Sequence, residues 1–153
     1  MALWRSRVRS HRVHCYFLMD SMTSDETLLL GPLRKAIESL EDILKQPMDE
    51  YRRDGAIQRF EYTFELCWKF MQRVLESEGQ MVGSPKQVIQ SALKGGLISE
   101  IDPWLAFLKA RNLSVHTYNQ KVADEVFEQA KAFPPFASAV LRAIQKRGSF
   151  PTQ

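Results

Sequence analysis

Residues 56–79 read A-I-Q-R-F-E-Y-T-F-E-L-C-W-K-F-M-Q-R-V-L-E-S-E-G, and the rest of the architecture is built around this stretch. Ile57, Phe60, Phe64, Cys67, Trp68, Met71, Val74 and Leu75 recur at three- and four-residue spacing, the period of a helix with one broad apolar face. Gly79 ends it. At ~1.5 Å per residue the segment predicts a rod on the order of 33 Å. Its start lies near Asp54-Gly55 or earlier, around Met48-Asp49. Upstream, Leu33, Ile37, Leu40 and Leu44 form a second amphipathic stripe closed by Pro47, with Gly31-Pro32 at its break or start. Downstream, Ser84-Pro85 is an N-cap and first turn for a short helix with Val88, Ile89, Ala92 and Leu93 inward, stopped by Gly95-Gly96. Asp102-Pro103 repeats the start signal ahead of Trp104, Leu105, Phe107 and Leu108. The last segment begins near Asn119 and carries Val122, Val126 and Phe127; Pro134-Pro135 must kink or split it before Phe136, Val140, Leu141 and Ile144. No stretch alternates as a strand bounded by hairpin turns. The expected fold is all-α, an up-and-down antiparallel bundle of about five helices.

Composition agrees with one domain. The 153 residues are 44% hydrophobic and 25% charged, with two cysteines. Cys15 and Cys67 cannot form a disulfide framework, no His/Cys cluster has metal-ligand spacing, and no apolar run reaches the ~18 residues of a membrane span. The net charge of +3 comes from one end. Residues 1–18 hold Arg5, Arg7, Arg9 and Arg12 and no acid, leaving 17 basic against 18 acidic residues in 19–153. A non-specific nucleic-acid binder spreads its basic excess over the folded domain. This chain does not. The leader resembles an organelle transit peptide in composition, but Met19 and Met22 just before the first capping signal favour a start assigned too far upstream, or a disordered tail. The His11/His14 pair there is a poor ligand set. The expected boundaries are a basic leader at 1–23, a bundle at 24–148 and a tail at 149–153.

Chemistry concentrates in Ala110–Gln120, A-R-N-L-S-V-H-T-Y-N-Q. On a helix continued from Trp104, one stripe runs Leu105, Leu108, Asn112, His116, Asn119, and its neighbour Trp104, Leu108, Arg111, Val115, Tyr118. The inward face is thus expected to turn from apolar to polar. Buried polar groups without partners cost about 1–3 kcal/mol each, so such a cluster must be paired, hydrated at an interface, or used. The residue types suit phosphate chemistry. Arg111 offers a planar fork for phosphate oxygens, His116 a proton near neutral pH, Asn112 an amide to orient the imidazole or a sugar, and Tyr118 a hydroxyl or stacking face. The competing account is a solvated helix C-terminus, where Arg, Asn and His are common.

R-N-L-S-V-H-T-Y matches the R-x4-H-x-Y signature of HEPN-domain proteins, with Arg111, His116 and Tyr118 at the marked positions. Gln58–Lys69, Ser84–Ile98 and the D-P-W-L-A-F-L-K-A-R-N run resemble, in the same order, one HEPN branch: the nucleotidyltransferase substrate-binding protein family. The resemblance covers roughly Leu33 to Ile144. It implies a cytoplasmic homodimer of helical bundles whose paired motif helices line one cleft, assembled with a minimal nucleotidyltransferase. It also implies that in some such pairs this protein is a metal-independent ribonuclease toxin. The antitoxin there adds AMP to the motif tyrosine, which by position is Tyr118.

The chain is not the transferase itself. Gly83-Ser84 is followed only by E-I-D at Glu100–Asp102, too distant to hold Mg²⁺ and a triphosphate, and no G-x-x-x-x-G-K loop exists. The leading expectation is a partner subunit that presents a nucleotide or other substrate to the transferase at a dimer cleft, without a cofactor, metal or membrane. The alternative is cleavage of RNA, with His116 as acid or base, Arg111 stabilising the phosphorane and Asn112 fixing geometry. Among lesser candidates, Glu61 and Glu65 are an i, i+4 carboxylate pair that could bind Mg²⁺ or serve as acid and base; the preferred account is a solvated face with Glu65 joined to Lys69. Trp68, Trp104, Phe60 and Phe64 read as core, Cys67 as an inert buried thiol, and Lys131 and Arg142–Arg147 as a wet helix end with optional phosphate contacts.

Overall fold

The computed structural model describes residues 30–148. The chain divides into two compact units, Met1–Gly31 and Pro32–Gln153. The expectations for the leader at 1–23 and the tail at 149–153 lie outside the described residues, and the fold is that of the second unit. Its described residues form six helices: α1 (30–44, of which 32–44 belong to this unit), α2 (Glu50–Ser77), α3 (Pro85–Lys94), α4 (Asp102–Leu113), α5 (Gln120–Ala132) and α6 (Pro134–Arg147). A 3₁₀ turn, Ser114–His116, joins α4 to the connection before α5. No strand occurs among the described residues.

The axis is α2. Asp49 caps it, accepting from Arg52 N–H at 2.8 Å, so the 28-residue helix starts before Asp54-Gly55 and is about 42 Å long, more than its apolar run alone predicts. Gly55 lies inside it, and a Cβ there would stand 2.9 Å from Ile43 Cδ1, the end of a side chain that can turn aside. At the other end Gly79 adopts φ +87°, which turns the chain away.

Contacts set the directions of the neighbouring rods. Arg59 Nε donates to Ser39 Oγ (3.0 Å) and Thr63 Oγ1 to the Ala36 carbonyl (3.3 Å), so α1 runs antiparallel to α2. Phe60 meets Phe107 and Phe64 meets Trp104, so α4 is antiparallel as well. The α5–α6 pair runs parallel to α2: Arg53 reaches Asp124 near its start, Phe133 packs on Phe60 and Phe64 midway, and Arg147 meets Glu78 at its end. Phe133 closes α5 and opens α6 in one helical residue (φ −73°, ψ −38°). Pro134 and Pro135 lack N–H groups and divide the rod there. That division turns the fifth expected segment into two helices.

The core is aromatic at its centre. Phe133, which sequence periodicity passed over, touches Phe60, Phe64, Trp104 and Phe107 with centroids 4.9–6.0 Å away. Its only signal was its place before Pro134-Pro135. Leu33, Ile37, Leu40, Ile57, Met71, Val74, Leu75, Val88, Ile89 and Ala92 are buried as their spacing predicts. Leu93 and Leu44 are not. Asp102, expected as a cap, is instead the first residue of α4 and makes no capping bond.

Candidate functional site

The chemistry-bearing segment does not continue α4. Ser114 is buried, its hydroxyl donates to the Arg111 carbonyl at 2.7 Å, and its N–H is directed at the same oxygen. Two donors on one carbonyl tighten the last turn to 3₁₀ geometry and end the helix at Leu113. Five residues on, Asn119 caps α5, its Oδ1 accepting from Lys121 N–H (3.0 Å) and Val122 N–H (3.4 Å). The His116–Tyr118 stretch is therefore held at both ends, between Ser114 and Asn119.

This overturns the single polar stripe expected from helical projection. The buried line of α4 is Trp104, Phe107, Ala110 and then Ser114, while Leu105 and Leu108 are half-buried and His116 is exposed, with Asn112 also on the outer face. Asn119 is a cap, not a site residue. Leu105, Leu108 and Asn112 lie off the Trp104–Phe107–Ala110 line that α4 buries, and the change of period at Leu113 turns His116 off the α-helical wheel.

Arg111 is the anchored member. Its Nε–H donates to Glu65 Oε1 at 3.0 Å across the α2–α4 junction, with the two side chains 28% and 31% exposed. Its terminal Nη groups make no hydrogen bond among the described residues. Glu65 Oε2 accepts from Trp68 Nε1 at 3.1 Å and lies 3.9 Å from Lys69 Nζ. The expected Glu65–Lys69 pair exists but is the looser one; the carboxylate chiefly orients Arg111. Sequence reading reached Glu65 through its spacing from Glu61, without a signal for a partner 46 residues away. Trp68, expected in the core, is half-buried beside Glu65, whereas Trp104, Phe60 and Phe64 are interior.

His116 and Tyr118 sit together. Tyr118 Oη is 3.5 Å from His116 Nδ1, at the outer limit of hydrogen bonding, and the rings are nearly perpendicular (81°). The imidazole approaches Tyr118 and not Asn112, whose side chain makes no hydrogen bond among the described residues. Tyr118 is 87% exposed and Val115 66%. Arg111 and Asn112 lie in the last turn of α4, with Arg111 partly buried against Glu65, and the exposed His116 and Tyr118 follow in the 3₁₀ turn and just after it.

The remaining candidates are structural. Cys67 is fully buried, and burial pushes its thiol far above the usual range, consistent with an inert side chain. Lys131 pairs with Glu128 at 2.7 Å and stands over the Phe127 ring. Arg147 is bound by Glu78 and the Gly95 carbonyl, clamping α6 to the ends of α2 and α3. Among the described residues no three His, Cys, Asp or Glu side chains are gathered so as to hold a metal, and no helix is long and apolar enough to cross a membrane.

Comparison with known proteins places these features in a group. The sequence pattern of the family described as "Nucleotidyltransferase substrate binding protein like" matches residues 28–146. A Haemophilus influenzae protein named "Probable ribonuclease HepT" is 34% identical over 101 residues, which span 63% of this chain and 69% of that one. A crystal structure from Thermus thermophilus is 35% identical with a TM-score of 0.62, covering 76% of this chain and 98% of the other. A Haemophilus influenzae structure, described as revealing the fold of a substrate binding domain of a nucleotidyltransferase, is 30% identical with a TM-score of 0.69 and the same coverage.

Proposed function

The chain belongs to the nucleotidyltransferase substrate-binding protein family, of HEPN type, and on that basis we propose that it is an endoribonuclease needing no metal, silenced when a partner nucleotidyltransferase adds AMP to Tyr118. The likeness to a relative named as a ribonuclease supports this reading over simple presentation of a substrate. His116 removes the proton of an RNA 2′-hydroxyl, and the freed oxygen attacks the adjacent phosphorus. Arg111 neutralises the charge that builds on the phosphorane oxygens. The bond to the 5′-oxygen breaks, that oxygen takes a proton from water, and a 2′,3′-cyclic phosphate remains. Asn112 steadies the sugar from the neighbouring position. A second copy, docked beside the exposed Val115, brings two motifs together in one cleft and leaves the Tyr118 hydroxyl open to the transferase. The substrate is cytoplasmic RNA.

The observation that carries the reading is the 3.5 Å between Tyr118 Oη and His116 Nδ1. In the modification, Oη attacks the α-phosphorus of ATP and pyrophosphate leaves. The new phosphodiester then lies against the imidazole that the cleavage needs, so modification and silencing follow from one geometry.

A second reading is favoured by the Haemophilus influenzae structure described as a substrate binding domain: the chain presents a substrate to the transferase and cuts nothing. Co-expression with the transferase and ATP, followed by intact-mass measurement and an RNA cleavage assay in EDTA, separates the two. Mass gains in AMP increments that vanish in Tyr118→Phe, together with cyclic-phosphate products from the unmodified protein, are the expected result. A stable, unmodified hetero-complex that leaves RNA intact would establish the presenting role instead.

A further inference from the structure

Beside Glu65, a shallow, open groove of about 550 Å³ lies along α1 and α2. Tyr62, Glu65, Leu66 and Lys69 line it from α2, and Lys35 and Ala36 from α1. Its surface is largely apolar and open along one side. Tyr62 is 38% exposed, and its hydroxyl donates to Ser39 Oγ at 3.0 Å, which fixes the ring at the rim. The charges are unbalanced. Lys35 and Lys69 line it with one carboxylate, Glu65, a formal excess of one positive charge. Glu65 belongs to both places, with one oxygen on Arg111 and the other toward Lys69. Through Glu65 the groove adjoins the Arg111 side chain.

An apolar trough with an anchored aromatic ring and cations at its edge has the chemistry of a single-stranded nucleic-acid subsite, where stacking holds the base and ammonium groups hold the backbone. We propose that this groove binds one nucleotide of single-stranded RNA next to the phosphate at Arg111. The base packs on Tyr62 and Leu66, and Lys35 and Lys69 contact its phosphates. The inference deepens the RNA-cleaving reading and rests on it for the identity of the strand.

The test uses the full chain and an uncleavable 2′-O-methyl tetranucleotide, followed by fluorescence anisotropy across a salt series. Two lost phosphate contacts at ~0.7 each should flatten the slope of log K against log salt by about 1.4 in Lys35→Gln/Lys69→Gln. Tyr62→Ala should weaken binding about fivefold or more, and Tyr62→Phe should restore it. In the unaltered chain, a 4-thiouridine at one end of the oligonucleotide should crosslink to the peptide carrying Tyr62 and Leu66. An unchanged slope with crosslinks confined to the His116–Tyr118 peptide would overturn the proposal. So would a change in oligomeric state in Tyr62→Ala at constant RNA affinity, which would make a second copy the occupant. A chain that cleaves RNA but whose groove variants bind normally refutes the groove alone; one that crosslinks in the groove but never cleaves refutes the nuclease and supports the subsite.

Discussion

Glu65→Gln is the most informative single substitution. The amide keeps the shape of the side chain and can still accept from Trp68 Nε1, but it removes the charge that holds Arg111 Nε at 3.0 Å. Both side chains are close to a third exposed, so solvent screening limits the loss of folding stability to about 1 kcal/mol. The larger effect falls on geometry. An arginine side chain carries ~2 kcal/mol of rotamer entropy, which the anchored guanidinium has already surrendered and a released one must surrender on meeting phosphate. At ~1.4 kcal/mol per decade, that is up to about 30-fold in cleavage rate. Arg111→Ala removes the group itself and should cost on the order of 10²-fold or more. The assay is a double-mutant cycle on the rate of cyclic-phosphate formation, with melting temperatures measured alongside. If Glu65 acts through Arg111, Glu65→Gln has no further effect in the Arg111→Ala background. Equal effects in both backgrounds, or a stability loss of several kcal/mol, would refute the positioning role.

Three further outcomes follow from the same coordinates. Phe133→Ala empties the centre of the aromatic cluster and should lower unfolding free energy by ~3–5 kcal/mol in a denaturant titration; a cost below ~1 kcal/mol would mean the cluster is not the core. Tyr118→Phe removes only an exposed hydroxyl, so its melting temperature should match the wild type while AMP addition, read by intact mass, disappears. Burial raises the folded pKa of Cys67, so its share of stability is complete below the ordinary thiol value of ~8.5 and is lost as pH rises above it. Between roughly pH 8.5 and 10 the wild type should lose stability relative to Cys67→Ala, by up to ~1.4 kcal/mol per pH unit, and identical slopes would contradict this.

Much of the fold could be read from local pattern because burial repeats with helical period. The stripes through Leu33, Phe60, Val88 and Val140 lie inside as their spacing indicates. The cap at Ser84, the start of a helix near Asn119 and the stop at Gly79 are equally local, since each depends on a side chain or dihedral within three residues. The errors cluster where period changes. Extending α4 past Leu113 assumed 3.6 residues per turn, and the Ser114 hydroxyl on the Arg111 carbonyl ended that period. Trp68 and Leu105 look as apolar as their neighbours in sequence, yet each sits at the margin of its face, where the adjoining rod determines its exposure.

Helicity, the residue types gathered near Arg111, His116 and Tyr118, and the family those residues resemble were all legible in the chain before it folds. Those properties rest on composition, spacing and short-range capping, carried within a few residues of backbone. Three others exist only once the chain is packed: Arg111 is oriented by Glu65, the imidazole meets the Tyr118 hydroxyl, and a groove lies beside Glu65 on α1 and α2. The first and last depend on how separate helices lie against one another. The second depends on where α4 gives way to a tighter turn, with Ser114 buried in the packed bundle. No single helical period encodes either.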